Sequence, residues 1–358
     1  MIDRRQFIAL SGVSLATGCA TRSTGIPATG GGKDPVTEGR YYPPVTQINP
    51  PGHQVIHDRA TYIEQYKYEN WIPPRKWNDD AVLWQDFSNR WGQGILPIQR
   101  RPLQILEGLY LLGPDDYHQC IYLWDTGEGL LLVDPSYSRF QNMIETQIRQ
   151  LGYRLEDVKW VLLTHMHWDH SQSAAAWEKR GVKVYIHAAD ADYITGRKDP
   201  GGPESVLAVV SPVVFEDGAE LEFGKLKMRA IHTPGHTPGS ACQSLSWLGT
   251  PVLISGDIVL DWGRHAWMGA DYCNWDQYLA SLWKLHGDKD AALWQMLLPG
   301  HGTIDLDGTG DSLYAVIQIV SEIMRRRRAG STIDWLNPYE VFWQLKQEGG
   351  KELEVLRS

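Results

Sequence analysis

Three imidazoles and one carboxylate fall within six positions of this chain, at His165, His167, Asp169 and His170. In an extended segment, residues two apart point the same way, so the rings of His165 and His167 face one side. Asp169 and His170 follow on a turn that can aim them at a second point. The set offers nitrogen and hard oxygen but no thiolate, which suits zinc first and iron or manganese less well. A solvated polar loop is the bland alternative. With 12 histidines in 358 residues, three in these slots beside an Asp are hard to reconcile with chance.

Three further signals fall where apolar runs end. In His232-Thr233-Pro234-Gly235-His236-Thr237-Pro238-Gly239-Ser240, two Pro-Gly steps force a tight loop that can fix His236 inward. In Leu253-Ile254-Ser255-Gly256-Asp257, an apolar strand delivers a carboxylate after a glycine that admits close backbone approach. In Leu297-Leu298-Pro299-Gly300-His301-Gly302, a histidine sits between two glycines. Each alone is a common turn. Together with the first cluster they supply five His and two Asp, enough for two metals.

The elements that must position these residues follow from periodicity. Val158 to Thr164 is a mostly apolar run that predicts a buried strand, a rigid mount for the first cluster, and Ser171 to Arg180 predicts a helix after it. Upstream, Ile105 to Leu112, Cys120 to Asp125 and Gly129 to Pro135 read as strands, with a helix over Arg139 to Leu151. Downstream come a strand at Val182 to His187 and a helix at Asp190 to Thr195. Further strands are expected at Val213 to Phe215, Ala219 to Phe223, Leu226 to His232, Ala241 to Trp247, Val252 to Ser255 and Met296 to Leu298. Helices are expected over Asn274 to His286, Asp311 to Arg328 and Asn337 to Gln347. Strands in runs, with helices between and after, predict an α/β (α+β) fold of two packed sheets with helices outside rather than an alternating barrel.

In the order HxHxDH, His, Asp, His, the chain resembles the metallo-β-lactamase-fold hydrolases from about Leu103 to Arg328. The resemblance implies a four-layer αββα sandwich with the site at one edge of the sheets. It implies that His165, His167 and His236 hold one metal, that Asp169, His170 and His301 hold the other, and that Asp257 bridges them, as in glyoxalase II-like and lactonase-like members. The implied cofactors are two Zn2+, with Fe or Mn as alternatives. A hydroxide shared by the two metals would attack an ester, thioester, lactone or lactam, and Asp169 would be catalytic by orienting it. A class B3-type β-lactamase is similar in HxHxDH and in the Gly-His-Thr-Pro-Gly-Ser loop but does not use the bridging Asp. Other readings are a mononuclear-iron sulfur dioxygenase on the same fold and a metal-stabilised surface protein without activity. The chain departs from many members at Gln172 and Ser173, where they carry glycines.

Composition narrows the partners. A hydrophobic content of 42% supports a full core, and a formal charge of −9 argues against a nucleic-acid partner, leaving a small-molecule substrate. The run Arg325 to Arg328 reads as favourable charge at a helix C-terminus. Sixteen tryptophans are spread through the chain, some expected in the core and others lining a pocket for a bulky apolar substrate. Cys120 and Cys242 read as buried small hydrophobes. His187 is expected to be structural and His232 to support its loop, while His118, Tyr193, His265 and Tyr272 could reach the site from loops.

Residues 1–20 resemble a twin-arginine export signal, with Arg4-Arg5 before a short apolar run. Ala16-Thr17-Gly18-Cys19 resembles a lipoprotein box, which would lipidate Cys19 and attach the protein to a membrane; the expected location is therefore exported, periplasmic or membrane-anchored. Residues 21–52 read as a flexible linker, 53–102 as an aromatic-rich N-terminal extension, 103–328 as the domain that resembles the metallo-β-lactamase fold and 329–358 as a C-terminal helical extension.

Overall fold

The computed structural model describes residues 102–112, 119–200, 208–260, 264–302, 304–306 and 309–331. The ranges read as export signal, linker and aromatic-rich extension lie outside these residues but for residue 102. So do most of the C-terminal extension and the helix expected over 337–347. No helix of the described residues is long and apolar enough to cross a membrane.

The first sheet runs in chain order through β1 (Leu103–Leu106), β2 (Leu109–Leu111), β3 (Tyr122–Asp125), β4 (Leu130–Val133), β5 (Val158–Leu162), β6 (Lys183–His187) and β7 (Val213–Phe215). Its first four strands pair antiparallel and the rest parallel. The second sheet has the order β12-β11-β10-β9-β8, built from β8 (Glu220–Phe223), β9 (Leu226–His232), β10 (Ala241–Trp247), β11 (Thr250–Gly256) and β12 (Met296–Pro299). Only its β11–β12 pair is parallel among the described strands.

Side-chain alternation explains the layers. In β4, Leu131 and Val133 face the second sheet, where they meet Met228, Leu245, Ile254 and Leu298. Leu130 and Leu132 face the other way, onto Ile144 and Ile148 of α1 (Gln141–Gln150). The second sheet likewise turns Ile231, Leu253 and Leu297 toward α5 (Trp275–His286) and α6 (Thr309–Arg328), which contribute Leu282, Leu285, Val316 and Val320. The result is helix, sheet, sheet, helix: the αββα sandwich.

Three details differ from expectation. The run Ile105 to Leu112 is a hairpin, β1 and β2, because Gly108 takes φ 74° and lets the chain reverse. The strand expected to reach Thr164 ends at Leu162. The helix expected from Ser171 is two short ones, α2 (Trp168–Ser171) and α3 (Ala174–Glu178), so Asp169 and His170 lie on helix rather than loop. The arginine run closes α6 as expected: Arg325 and Arg326 pair with Glu322, and Arg328 pairs with Asp276. The remaining α-helix among the described residues, α4 (Ala188–Ile194), follows β6.

Candidate metal centre

All seven predicted side chains converge at one end of the sandwich, from both sheets. His165 and His167 leave β5, and Asp169 and His170 sit on the single turn of α2. From the second sheet, His236 lies on the loop after β9, Asp257 directly follows β11, and His301 follows β12. Gly256 makes the crossing tight. It takes φ 49°, and a Cβ there would lie 2.6 Å from Thr164 Oγ1 across the gap between the sheets.

The ring nitrogens face one another. His165 Nε2 stands 3.1 Å from His167 Nδ1 and 3.3 Å from His236 Nε2. On the other side, His170 Nε2 is 3.2 Å from His301 Nε2, which lies 3.1 Å from Asp169 Oδ2. Asp257 spans the two groups, with Oδ2 3.4 Å from His236 Nε2 and 3.6 Å from His301 Nε2, and Oδ1 3.5 Å from His170 Nε2.

Outer contacts set which nitrogen is bare. Asp134 Oδ1 accepts from the Thr164 amide at 2.8 Å and Oδ2 accepts from the Thr164 hydroxyl at 2.6 Å. That hydroxyl, already donating, can only accept from His165 Nδ1 at 3.0 Å, which leaves His165 Nε2 without a proton. Asp134 Oδ2 also accepts from His170 Nδ1 at 3.0 Å, and the Trp267 carbonyl accepts from His236 Nδ1 at 2.7 Å. His167 is reversed: Nδ1 faces the cluster and Nε2 meets the Tyr272 hydroxyl at 2.7 Å. Such outer partners orient metal-binding imidazoles and fix their tautomers.

A second carboxylate, Asp190 at the start of α4, ties the two histidine-bearing loops together. Its Oδ2 accepts from Met166 N at 3.0 Å and Thr237 Oγ1 at 2.7 Å, and its Oδ1 accepts from Gly239 N at 2.6 Å. Burial pushes the Asp190 carboxyl up to about 6, against the pull of those donors. Neither Asp134 nor Asp190 was singled out from the sequence. Asp134 carries one local signal, an Asp-Pro step after a strand; its φ of 49° is the costly left-handed region, held by the Thr164 and His170 contacts.

Electrostatics divides the cluster. Burial holds His165 and His167 well below the usual imidazole range, with neighbouring rings adding to it. Burial opposes charge at His170 and His301 too, but there carboxylates overcome it and raise both, Asp169 and Asp257 acting on each. Burial likewise works against Asp169 and Asp257, yet the adjacent imidazoles keep both carboxylates below their usual range.

This donor set fits divalent cations. Nitrogen lone pairs pointed at one another repel unless something positive lies between them. Two ligand atoms about 2.0–2.1 Å from a tetrahedral zinc are about 3.3 Å apart, close to the spacings above. Asp257 Oδ1 is buried without a hydrogen-bond partner among the described residues, as expected of an oxygen reserved for a cation. Three overlapping groups could hold an ion: His165, His167 and His236; His165, His170 and Asp257; Asp169, His170 and His301.

The sequence profile described as Metallo-beta-lactamase superfamily matches residues 113–301, the span that holds all seven side chains. The chain belongs to that superfamily. Several of its homologues are hydrolases by name. An uncharacterized protein of Mycobacterium leprae is 34% identical over 157 residues, covering 40% of this chain and 68% of that protein. An acyl-coenzyme A thioesterase of Gallus gallus is 28% identical over 158 residues, covering 38% of this chain and 54% of that protein. The match thus spans about half the thioesterase's length. Among solved structures, a subclass B3 metallo-beta-lactamase of Bradyrhizobium japonicum aligns with a TM-score of 0.53 at 22% identity, covering 64% of this chain and 94% of that one. That likeness concerns the fold.

Against the family pattern, Gln172 and Ser173 do local work. Gln172 Oε1 accepts from Ser138 N at 2.9 Å and Ser138 Oγ at 3.0 Å, while Ser173 Oγ donates to the Pro135 carbonyl at 2.5 Å. Both stitch the helical turn to the loop that carries Asp134. His187 is structural: it caps α4 and stacks on His232 with centroids 3.9 Å apart. His232 supports its loop by donating to the Pro238 carbonyl at 2.8 Å. Tyr272 reaches the site, and Tyr193 packs on Tyr272 at 5.9 Å. His265 does not join the cluster; its Nδ1 donates to the Ala266 carbonyl at 2.5 Å, and His118 lies outside the described residues.

Proposed function

We propose that this superfamily member is a dinuclear metal-dependent hydrolase of esters or thioesters, with lactones and lactams as the further candidates. His165, His167 and His236 would hold one cation, Asp169, His170 and His301 the other, and Asp257 would span both. The observation that carries the reading is the Asp257 carboxylate, standing 3.4 Å from a nitrogen of one group and 3.5 Å and 3.6 Å from nitrogens of the other. Bound there, a pair of divalent ions supplies Lewis-acid polarisation of a carbonyl and a water that ionises near neutral pH.

The chain's own groups do the rest. His165 and His167, kept neutral by burial, present lone pairs at neutral pH. Asp169, partly exposed and kept ionised by the adjacent imidazoles, can orient an attacking water. Asp134 and the Trp267 carbonyl keep the rings aimed. The Asp257 bridge supports ester or thioester substrates over lactams, and the name of the thioesterase relative supports the same side.

Metal analysis followed by a hydrolysis screen on the same preparation tests this. The expected result is about two zinc per chain with turnover of esters or thioesters. About one iron per chain would favour the sulfur dioxygenase reading, and full loading without turnover of any ester, thioester, lactone or lactam would overturn the hydrolase assignment.

A further inference from the structure

Trp267 touches the site twice. Its carbonyl accepts from His236 Nδ1, and its indole stands 6.1 Å from the His167 ring at 66°. The flanking residues Ala266 and Met268 are buried, yet the Trp267 residue is 41% exposed. The indole lies against Gly269: a Cβ there would overlap its Cζ2, Cε2 and Nε1, so it fills the notch that the glycine leaves. Around His167 the same arrangement continues, with the Trp168 ring at 5.4 Å and the Tyr272 ring at 5.8 Å.

An indole laid on a glycine and left half-open beside the histidine cluster offers a flat surface to an apolar group. A flat ring gains most, because aromatic pairs contribute beyond the area they bury. We propose that Trp267 is the platform for a bulky apolar, preferentially aromatic, acyl group of the substrate. This rests on the hydrolase reading above and narrows it to esters and thioesters of such acids. Gly269 is the specificity-determining partner, since it sets where the indole lies.

The test uses the zinc-loaded full chain and 4-nitrophenyl esters of acetic, hexanoic and phenylacetic acid. The preference for phenylacetyl over acetyl, as a ratio of kcat/KM, falls about tenfold in Trp267→Ala and largely survives in Trp267→Phe. Gly269→Ala, which displaces the indole without removing it, reproduces the loss. The hexanoyl preference falls less than the phenylacetyl one; an equal fall would make the platform a general apolar surface and overturn the aromatic preference. Saturation-transfer NMR of phenylacetate on the same zinc-loaded samples shows binding to the parent protein that is lost in Trp267→Ala. An unchanged ratio, or equal saturation transfer in both proteins, overturns the platform. If no ester turns over at full zinc loading, the hydrolase reading fails, while the NMR comparison still decides whether the indole binds the acid.

Discussion

Replacing Asp190 by Asn changes one atom in a place where every neighbour is a donor. The carboxylate now takes three hydrogen bonds, from Met166 N, Thr237 Oγ1 and Gly239 N. If the Asn oxygen takes the position that serves Met166 and Thr237, the amide nitrogen faces Gly239 N across what is now 2.6 Å. Two donors then oppose each other, and a buried amide N–H left without an acceptor costs about 1–3 kcal/mol. The new amide group is stranded by a comparable amount, so the total is about 2–6 kcal/mol. Relaxation of the His236 loop lowers that cost at the expense of the metal site, because Gly239 follows His236 by three positions. Loss of a supporting contact of this kind typically weakens metal binding about 10–100-fold. The assay is a zinc titration against a competing chelator, paired with urea unfolding of the same protein. Asp190→Asn should show both weaker zinc binding and an earlier midpoint. A variant with parental zinc affinity and parental midpoint would refute the claim that Asp190 braces the two loops.

Other outcomes follow from the same geometry. Asp257→Ala should reduce zinc from about two to about one per chain and slow turnover by about 100-fold or more, measured by metal analysis and steady-state kinetics. A methyl group at Gly300 would overlap Asp257 Oδ1 and crowd His170, so Gly300→Ala should abolish zinc binding while far-UV circular dichroism stays that of the parent. Burial brings His187 down to about 4 from an ordinary 6.5, so between those values the unfolded chain binds the extra proton and stability falls on acidification. His187→Gln should therefore lose less stability than the parent between pH 7 and about pH 4.5, by at most about 3 kcal/mol in denaturant titrations.

What could be read from the chain was whatever local pattern encodes. His165, His167, Asp169 and His170 share a short motif, while His236, Asp257 and His301 each follow an apolar run and sit among glycines or prolines. A strand end exposes a residue at the edge of a sheet, so these positions announce themselves. Asp190 does not, and the strand end at Asp134 does not say what it binds, because the meaning of both lies in partners 24 to 49 residues away in sequence. The Tyr272 contact to His167 spans 105 residues and was foreseen only as one of several loop candidates. The split of the first run into β1 and β2 turned on Gly108, whose left-handed φ overrode an otherwise continuous apolar pattern. Two consecutive polar residues, Gln172 and Ser173, looked like a defect in the motif; in three dimensions they anchor it to the loop carrying Asp134.

The donors come from both sheets, and the last of them follows β12, the final strand of the described fold. No portion of the chain that ends before His301 can assemble the complete cage. A growing polypeptide therefore acquires its chemistry late, after both halves have been made and have closed on each other. If the cage takes its cation as it closes, the metal on hand at that moment would bear on which ion enters, alongside the donor set.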